Sequence, residues 1–300
     1  MSTPVATDHP SVDRVRARVA EEGIPKPQYP RVHLGALSSN VVLFILGLAF
    51  VIPLVWIVLS SIDSNAGAGL EIPHLSAANY RAVMTVDRMR PFLNSFYLAF
   101  VSTVVSTVVG LLAGYGLSRH YIPLKRTIML FILFMSGLPV AMLLVPTYQM
   151  YVQLQWLDSL FWTSVFLAAT SLPFTVWLLK NFIDQVPREL EEAAAIEGTG
   201  PLGILVRVVI PLAMPGILVT ALITFINAWG AFAIPLVLDS NPEHMPGAVA
   251  IYQFMSADGQ TRFGDLSAYS ILFATPVIVL YLIASRRISG AFTFAGGIKS

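Results

Sequence analysis

The chain is poor in side chains that perform covalent chemistry. It has no cysteine, which removes thiolate nucleophiles, disulfides and cysteine-bound metals together. Its five histidines are scattered, and none pairs with another at metal-ligand spacing. No Gly-x-x-x-x-Gly-Lys-Ser/Thr loop is present to cradle a nucleotide phosphate. Net charge is +1, and no basic stripe with interleaved aromatics marks a nucleic-acid surface. No catalytic residue, no metal site and no cofactor of its own is therefore expected. What remains is one acidic stretch between two long apolar runs, Pro187 to Pro211. Glu189, Glu191 and Glu192 sit where the dipole of a helix starting at Pro187 favours anions. Leu190, Ala193 and Ala194 recur at i, i+3, i+4, a narrow stripe of mostly small apolar side chains. Gly198 suits the left-handed position that closes a helix, and Gly200-Pro201 starts another. The chemistry of such a knob is recognition: a close-approach face with carboxylates for Arg or Lys of a partner.

The elements that position this knob are membrane spans. The chain is 56% hydrophobic and 12% charged, with mean hydropathy +0.72, against about 25% charged in soluble domains. Apolar runs lie at about Asn40–Ile62, Asn94–Ser118, Thr127–Met150, Leu160–Leu179, Val208–Val237 and Ser267–Ser285. Each is long enough to cross roughly 30 Å of hydrocarbon as a helix. The fold class expected is an all-α membrane protein with six transmembrane helices. Residues 1–35 read as a polar tail, 36–286 as the six-helix transmembrane domain with its polar loop at 184–207, and 287–300 as a second tail. The first run is too long, and its leader too extended, for a cleaved signal peptide. Fourteen of the 18 Lys and Arg residues fall in the two tails and in the loops Arg119–Arg126 and Lys180–Arg207. Both termini and the knob are thus expected in the cytoplasm.

No Asp, Glu, Lys, Arg or His falls inside those runs. Proton-coupled carriers and membrane-embedded hydrolases need such groups at depth, so the energy source must lie outside the spans. Neutral polar groups do occur: Ser102, Thr103, Ser106 and Thr107; Thr170, Ser171 and Thr175; Thr220, Thr224 and Asn227. Ser106, Thr224, Asn227 and the neighbouring Trp229 are candidates to line a path for a hydroxyl-rich solute; hydrogen bonding between helices is the alternative for each. Pro139, Pro146, Pro173, Pro211, Pro215 and Pro276 interrupt the spans, as hinges or cavity linings do. In the outer segment at Leu75–Tyr80, Ser76 is the candidate N-cap of a short helix.

Glu192-Ala193-Ala194, then three residues and Gly198, then nine residues and Val208-x-Ile210-Pro211, resembles the "EAA" loop of binding-protein-dependent ABC importers. Val208 and Ile210 stand where the family has Ile and Leu. Arg286 to Ser300 is similar to the closing segment of the second permease of maltose-type systems, so the likeness is to MalG-like sugar permeases. It covers about residue 40 to the end. At Trp229-Gly230-Ala231-Phe232 the chain departs from the Trp-Asn-Glu-Phe common in that subgroup. The resemblance implies a type I importer permease fold, with Glu191, Glu192, Ala193, Ala194, Gly198 and Pro211 coupling to a separate ATPase. It further implies a homologous second permease and two ABC ATPase subunits carrying ATP-Mg. An extracytoplasmic solute-binding protein would touch the outer loop Leu238–Leu266. The whole would sit in a bacterial or archaeal cytoplasmic membrane and carry a sugar or another small hydroxylated solute. Two rival readings are a stand-alone secondary carrier and a membrane scaffold that recruits a cytoplasmic partner.

Overall fold

The computed structural model describes residues 34–67, 69, 73–254 and 261–296. Nearly all of the expected N-terminal tail, Asp258 of the outer loop and the last four residues lie outside the described residues. The described chain is helical, and its one β-feature is an isolated bridge between Asp63 and Leu75. The chain divides into two units at Pro53. The described part of the first unit is the leading portion of α1 (Leu34–Ser61), whose Leu43, Phe44 and Phe50 are exposed. The second unit begins inside the same helix at Leu54 and holds everything else.

Within that second unit, a short helix α2 (Ala78–Val83) closes the end of α1. The Asn79 amide donates to the carbonyls of Ser60, Ser61 and Asp63, the last at 2.8 Å. Ser60 and Ser61 are the last residues of α1, whose carbonyls have no partner four residues on within the helix. Helix α2 starts after Ala77 rather than Ser76, whose hydroxyl accepts from the Ala78 N–H instead.

Helices α3 (Val86–Arg119), α6 (Leu160–Asp184) and α8 (Pro201–Trp229) form the packed centre. On α3, Ser102, Ser106, Gly110, Gly114 and Ser118 recur every fourth residue and all are buried. Small side chains let membrane helices approach closely where lipid supplies no hydrophobic drive between them. A Cβ on Gly110 would lie 2.6 Å from Thr175 Cγ2, and one on Gly114 would lie 3.1 Å from the Lys180 backbone nitrogen. Gly216 of α8 meets α6 as tightly, with its Cβ position 2.1 Å from the Phe182 ring.

The run Thr127–Met150 is not one straight helix. It is α4 (Lys125–Ser136) and α5 (Val140–Leu154), bent by 87° at Gly137-Leu138-Pro139. Pro139 has no N–H to continue α4 and drives Leu138 away from helical angles. Five helices are long and apolar enough to cross a membrane, and the bent pair makes six if it is a single span. Helix α8 begins seven residues before the expected Val208 and ends at Trp229. Its residues Leu205–Val209 form a π-turn, in which the Ile210 N–H reaches back to the Leu205 carbonyl. Pro211, one residue on, cannot donate to Arg207, and the wider turn accommodates that loss. Between α6 and α8 stands α7 (Arg188–Ile196); after α8 come α9 (Ala233–Leu238), α10 (Gly247–Ala250) and α11 (Phe263–Gly296).

Candidate functional site

Helix α7 is the knob read from the sequence. Pro187 is its N-cap, with extended ψ of 131°, so the helix starts one residue later than expected. At the other end the Thr199 N–H bonds to the Ala194 carbonyl and the Gly198 N–H to the Ala195 carbonyl, both at 3.0 Å. Gly198 holds φ of +86° between them. This pair of bonds is the Schellman closure, and left-handed backbone is what glycine supplies without a Cβ penalty. Glu189, Glu192, Ala193 and Ile196 face outward, and Ile196 is 88% exposed. Leu202 and Val206, on the first turns of α8, extend this exposed apolar surface. Ala194 instead turns inward, against Ile183, Val186, Ile204, Leu205, Val209 and Ala213. Pro211 is exposed beside the π-turn, on α8 rather than on the knob.

The two adjacent glutamates divide. Glu192 is exposed, whereas Glu191 is buried and paired within the chain to Arg119 at 2.6 Å. Its second oxygen accepts from the Tyr115 hydroxyl. Of the acidic residues expected on the recognition face, Glu191 is therefore the one that anchors the helix rather than faces out.

A second site lies between α6, α8 and the α4–α5 break. It is a cavity of about 480 Å³ lined by Ser136, Thr170, Ser171, Phe174, Thr224, Asn227 and Phe232 among others. None of its lining side chains is charged. The hydroxyls of Ser136, Thr170, Ser171 and Thr224 donate to carbonyls of their own helices. Their oxygens keep acceptor capacity for a solute. Among the described residues the exposed Asn227 amide has no hydrogen-bond partner, so it offers both donor and acceptor. Phe232 stacks on Tyr252 at 4.9 Å.

Two expected path residues lie elsewhere. Trp229 is buried, donates its indole N–H to the Phe273 carbonyl and stacks on Phe225 and Phe273. Ser106 is fully buried on the small-residue face of α3 and donates to Thr103. Asn227 and Trp229 diverge because residues two apart on a helix point about 200° apart. Ser136, Phe174 and Phe232 are cavity residues the sequence reading missed. The Gly-Leu-Pro break beside Ser136 was the available signal.

Beyond the end of α9, Asp239 is 3% exposed. Burial pushes its carboxyl up to about 6, against the hydrogen bond donated by Thr163 and the nearby His244, with Asp158 adding to the rise.

Five to six apolar helices long enough to cross a membrane, with a cavity lined by no charged side chain, are the make-up of a membrane transport subunit. The chain belongs to the family of binding-protein-dependent transport system inner membrane components, whose model matches residues 106–289. It is 33% identical over 259 residues to the sulfoquinovosyl glycerol transport system permease protein SmoH of Agrobacterium fabrum, covering 82% of this chain and 88% of that one. It is 29% identical to the trehalose transport system permease protein SugB of Mycobacterium tuberculosis, covering 83% and 92%. Its fold is similar to a chain of a bacterial ABC transporter involved in the import of alginate, with TM-score 0.74, 22% identity, and 87% and 99% of the two chains covered. The chain is thus an ABC importer permease, a multi-pass inner-membrane transport subunit and not an enzyme.

Proposed function

We propose that this permease forms half of the path for a neutral sugar or similar hydroxylated solute, and that α7 couples it to a separate ATPase. The carrying observation is α7 itself: a short exposed helix, closed at Gly198, joined directly to two helices of the packed centre. On this reading the loop at 184–207 and both termini are cytoplasmic, supported by the positive-charge bias. Glu192 and Ala193 meet the ATPase, Gly198 sets the turn, and Pro211 and the π-turn shape the entry into α8. The partners are a homologous permease, two ABC ATPase subunits binding ATP-Mg, and a solute-binding protein on the outer loops. Residues 1–35 and 287–300 flank the permease domain of 36–286 as cytoplasmic tails. The carbohydrate assignment draws support from the relatives named for sugar transport and from the uncharged, hydroxyl-lined cavity. A bacterial or archaeal cytoplasmic membrane is the setting.

The test is uptake of candidate sugars by cells or proteoliposomes carrying the full importer. Gly198→Asp and Glu192→Lys should abolish uptake while the permease still inserts. Full uptake in both variants would overturn the coupling assignment.

A further inference from the structure

Arg119 is the last residue of α3, and it bonds both α7 and the end of α6. Its Nε donates to Glu191 of α7 at 2.6 Å. Its Nη2 donates to the carbonyls of Ile183 and Val186, at 3.0 and 2.8 Å, where α6 ends. Its Nη1 donates to the Ser118 hydroxyl, which in turn donates to Asp184 of α6. The side chains of Arg119 and Glu191 are only 9% and 11% exposed. From the other direction Arg188, the first residue of α7, donates to the Ser118 carbonyl at 3.1 Å. Helix α7 is thus bound at its first turn to the ends of both α3 and α6.

Its other connection is of a different kind. Toward α8 it runs through the left-handed Gly198, then Thr199 and Gly200, and then the π-turn at Leu205–Val209. π-Turns and glycine-rich links are where helices give way. A force applied at Ile196 or Glu192 therefore has a stiff, hydrogen-bonded route through Arg119, whereas toward α8 it has the Gly198 link and the non-directional apolar packing of Ala194. The stiff route leads into α6, which contributes Thr170, Ser171 and Phe174 to the cavity.

Resting on the coupling function proposed above, we infer that Arg119, held to Glu191, is the positioning residue that passes displacement of α7 into α3 and α6. Adhesion alone does not require it, because Ala194 already packs on an apolar cluster with Ile183 and Val186. What the guanidinium adds is a planar fork that bonds three elements at once, which the single ammonium of lysine does not reproduce.

The experiment uses the complete importer in proteoliposomes, with Arg119→Lys and Glu191→Gln. Both variants should retain the ATPase subunits and basal ATP hydrolysis. Stimulation of hydrolysis by loaded binding protein, and uptake, should both fall by about tenfold, within the usual span of coupling between sites. Wild-type stimulation and uptake in both variants would overturn the inference. Tyr115→Phe removes only the phenol's bond to Glu191 and serves if the first variants fail to assemble. A partial loss of stimulation with full assembly then supports the inference. Wild-type stimulation alongside unassembled Arg119→Lys makes Arg119 a structural strut and overturns it. If the wild-type chain retains no ATPase at all, the coupling function itself fails, which is a separate result.

Discussion

At the scale of single residues, neighbours in sequence do opposite jobs. Glu191 and Glu192 have the same charge and adjacent backbone, yet one is buried on Arg119 and the other exposed. A helix turns 100° per residue, so only one of the two can face the spans. Asp239 illustrates the cost of burial. Its folded carboxyl lies near 6, above the usual 3.8 of an unfolded aspartate. The folded state therefore binds the proton more tightly, and stability falls as pH rises from about 4 to about 6. The penalty at neutral pH is on the order of 3 kcal/mol. Asp158, His244 and Tyr151 are the titratable groups whose charges interact with it. The detergent-solubilised permease should melt at higher temperature at pH 5 than at pH 7, and Asp239→Asn should flatten that dependence. An unchanged slope in the variant would assign the effect to another group.

At the scale of elements, packing is set by what is missing from side chains. The four-residue rhythm from Ser102 to Ser118 lets α3 lie against α6 at backbone range. Gly216 does the same for α8 against Phe182. Gly216→Ala should drive the Phe182 ring aside and destabilise the fold by about 1–3 kcal/mol, the usual cost of overpacking. Gly116 in the same bundle has open space at its Cβ position. Gly116→Ala should be neutral or stabilise slightly, because alanine favours helix. Thermal unfolding of the two variants side by side checks both expectations. Equal melting temperatures would mean that the seam at Phe182 is loose.

At the scale of the whole molecule, the proposed orientation rests on the distribution of Lys and Arg along the sequence. The absence of native cysteine makes the orientation directly measurable. Ile196→Cys, on the exposed end of α7, should react with a membrane-impermeant maleimide only when vesicles are inside-out. His74→Cys, before α2, should react only when they are right-side-out. Labelling in the reverse sense would place α7 outside the cell and remove the route to an ATPase.

Sequence alone determined what depends on local composition and backbone preference. Membrane spans follow from apolar length, and the closure of α7 from a glycine free to adopt positive φ. The recognition motif from Glu192 to Pro211 was legible because its spacing lies within one contiguous segment. The bend at Pro139 was partly legible, since a proline inside a span marks a break but carries no angle. Tertiary structure alone decided which face each helix turns to its neighbours. Trp229 turned into the core and Asn227 into the cavity, although both lie in the same polar-aromatic stretch. Arg119 and Glu191 are 72 residues apart, and nothing local to either announces the pair. Such contacts depend on the relative rotation and register of packed helices. Those are set by small residues such as Gly110 and Gly216, whose meaning appears only once their neighbours are in place.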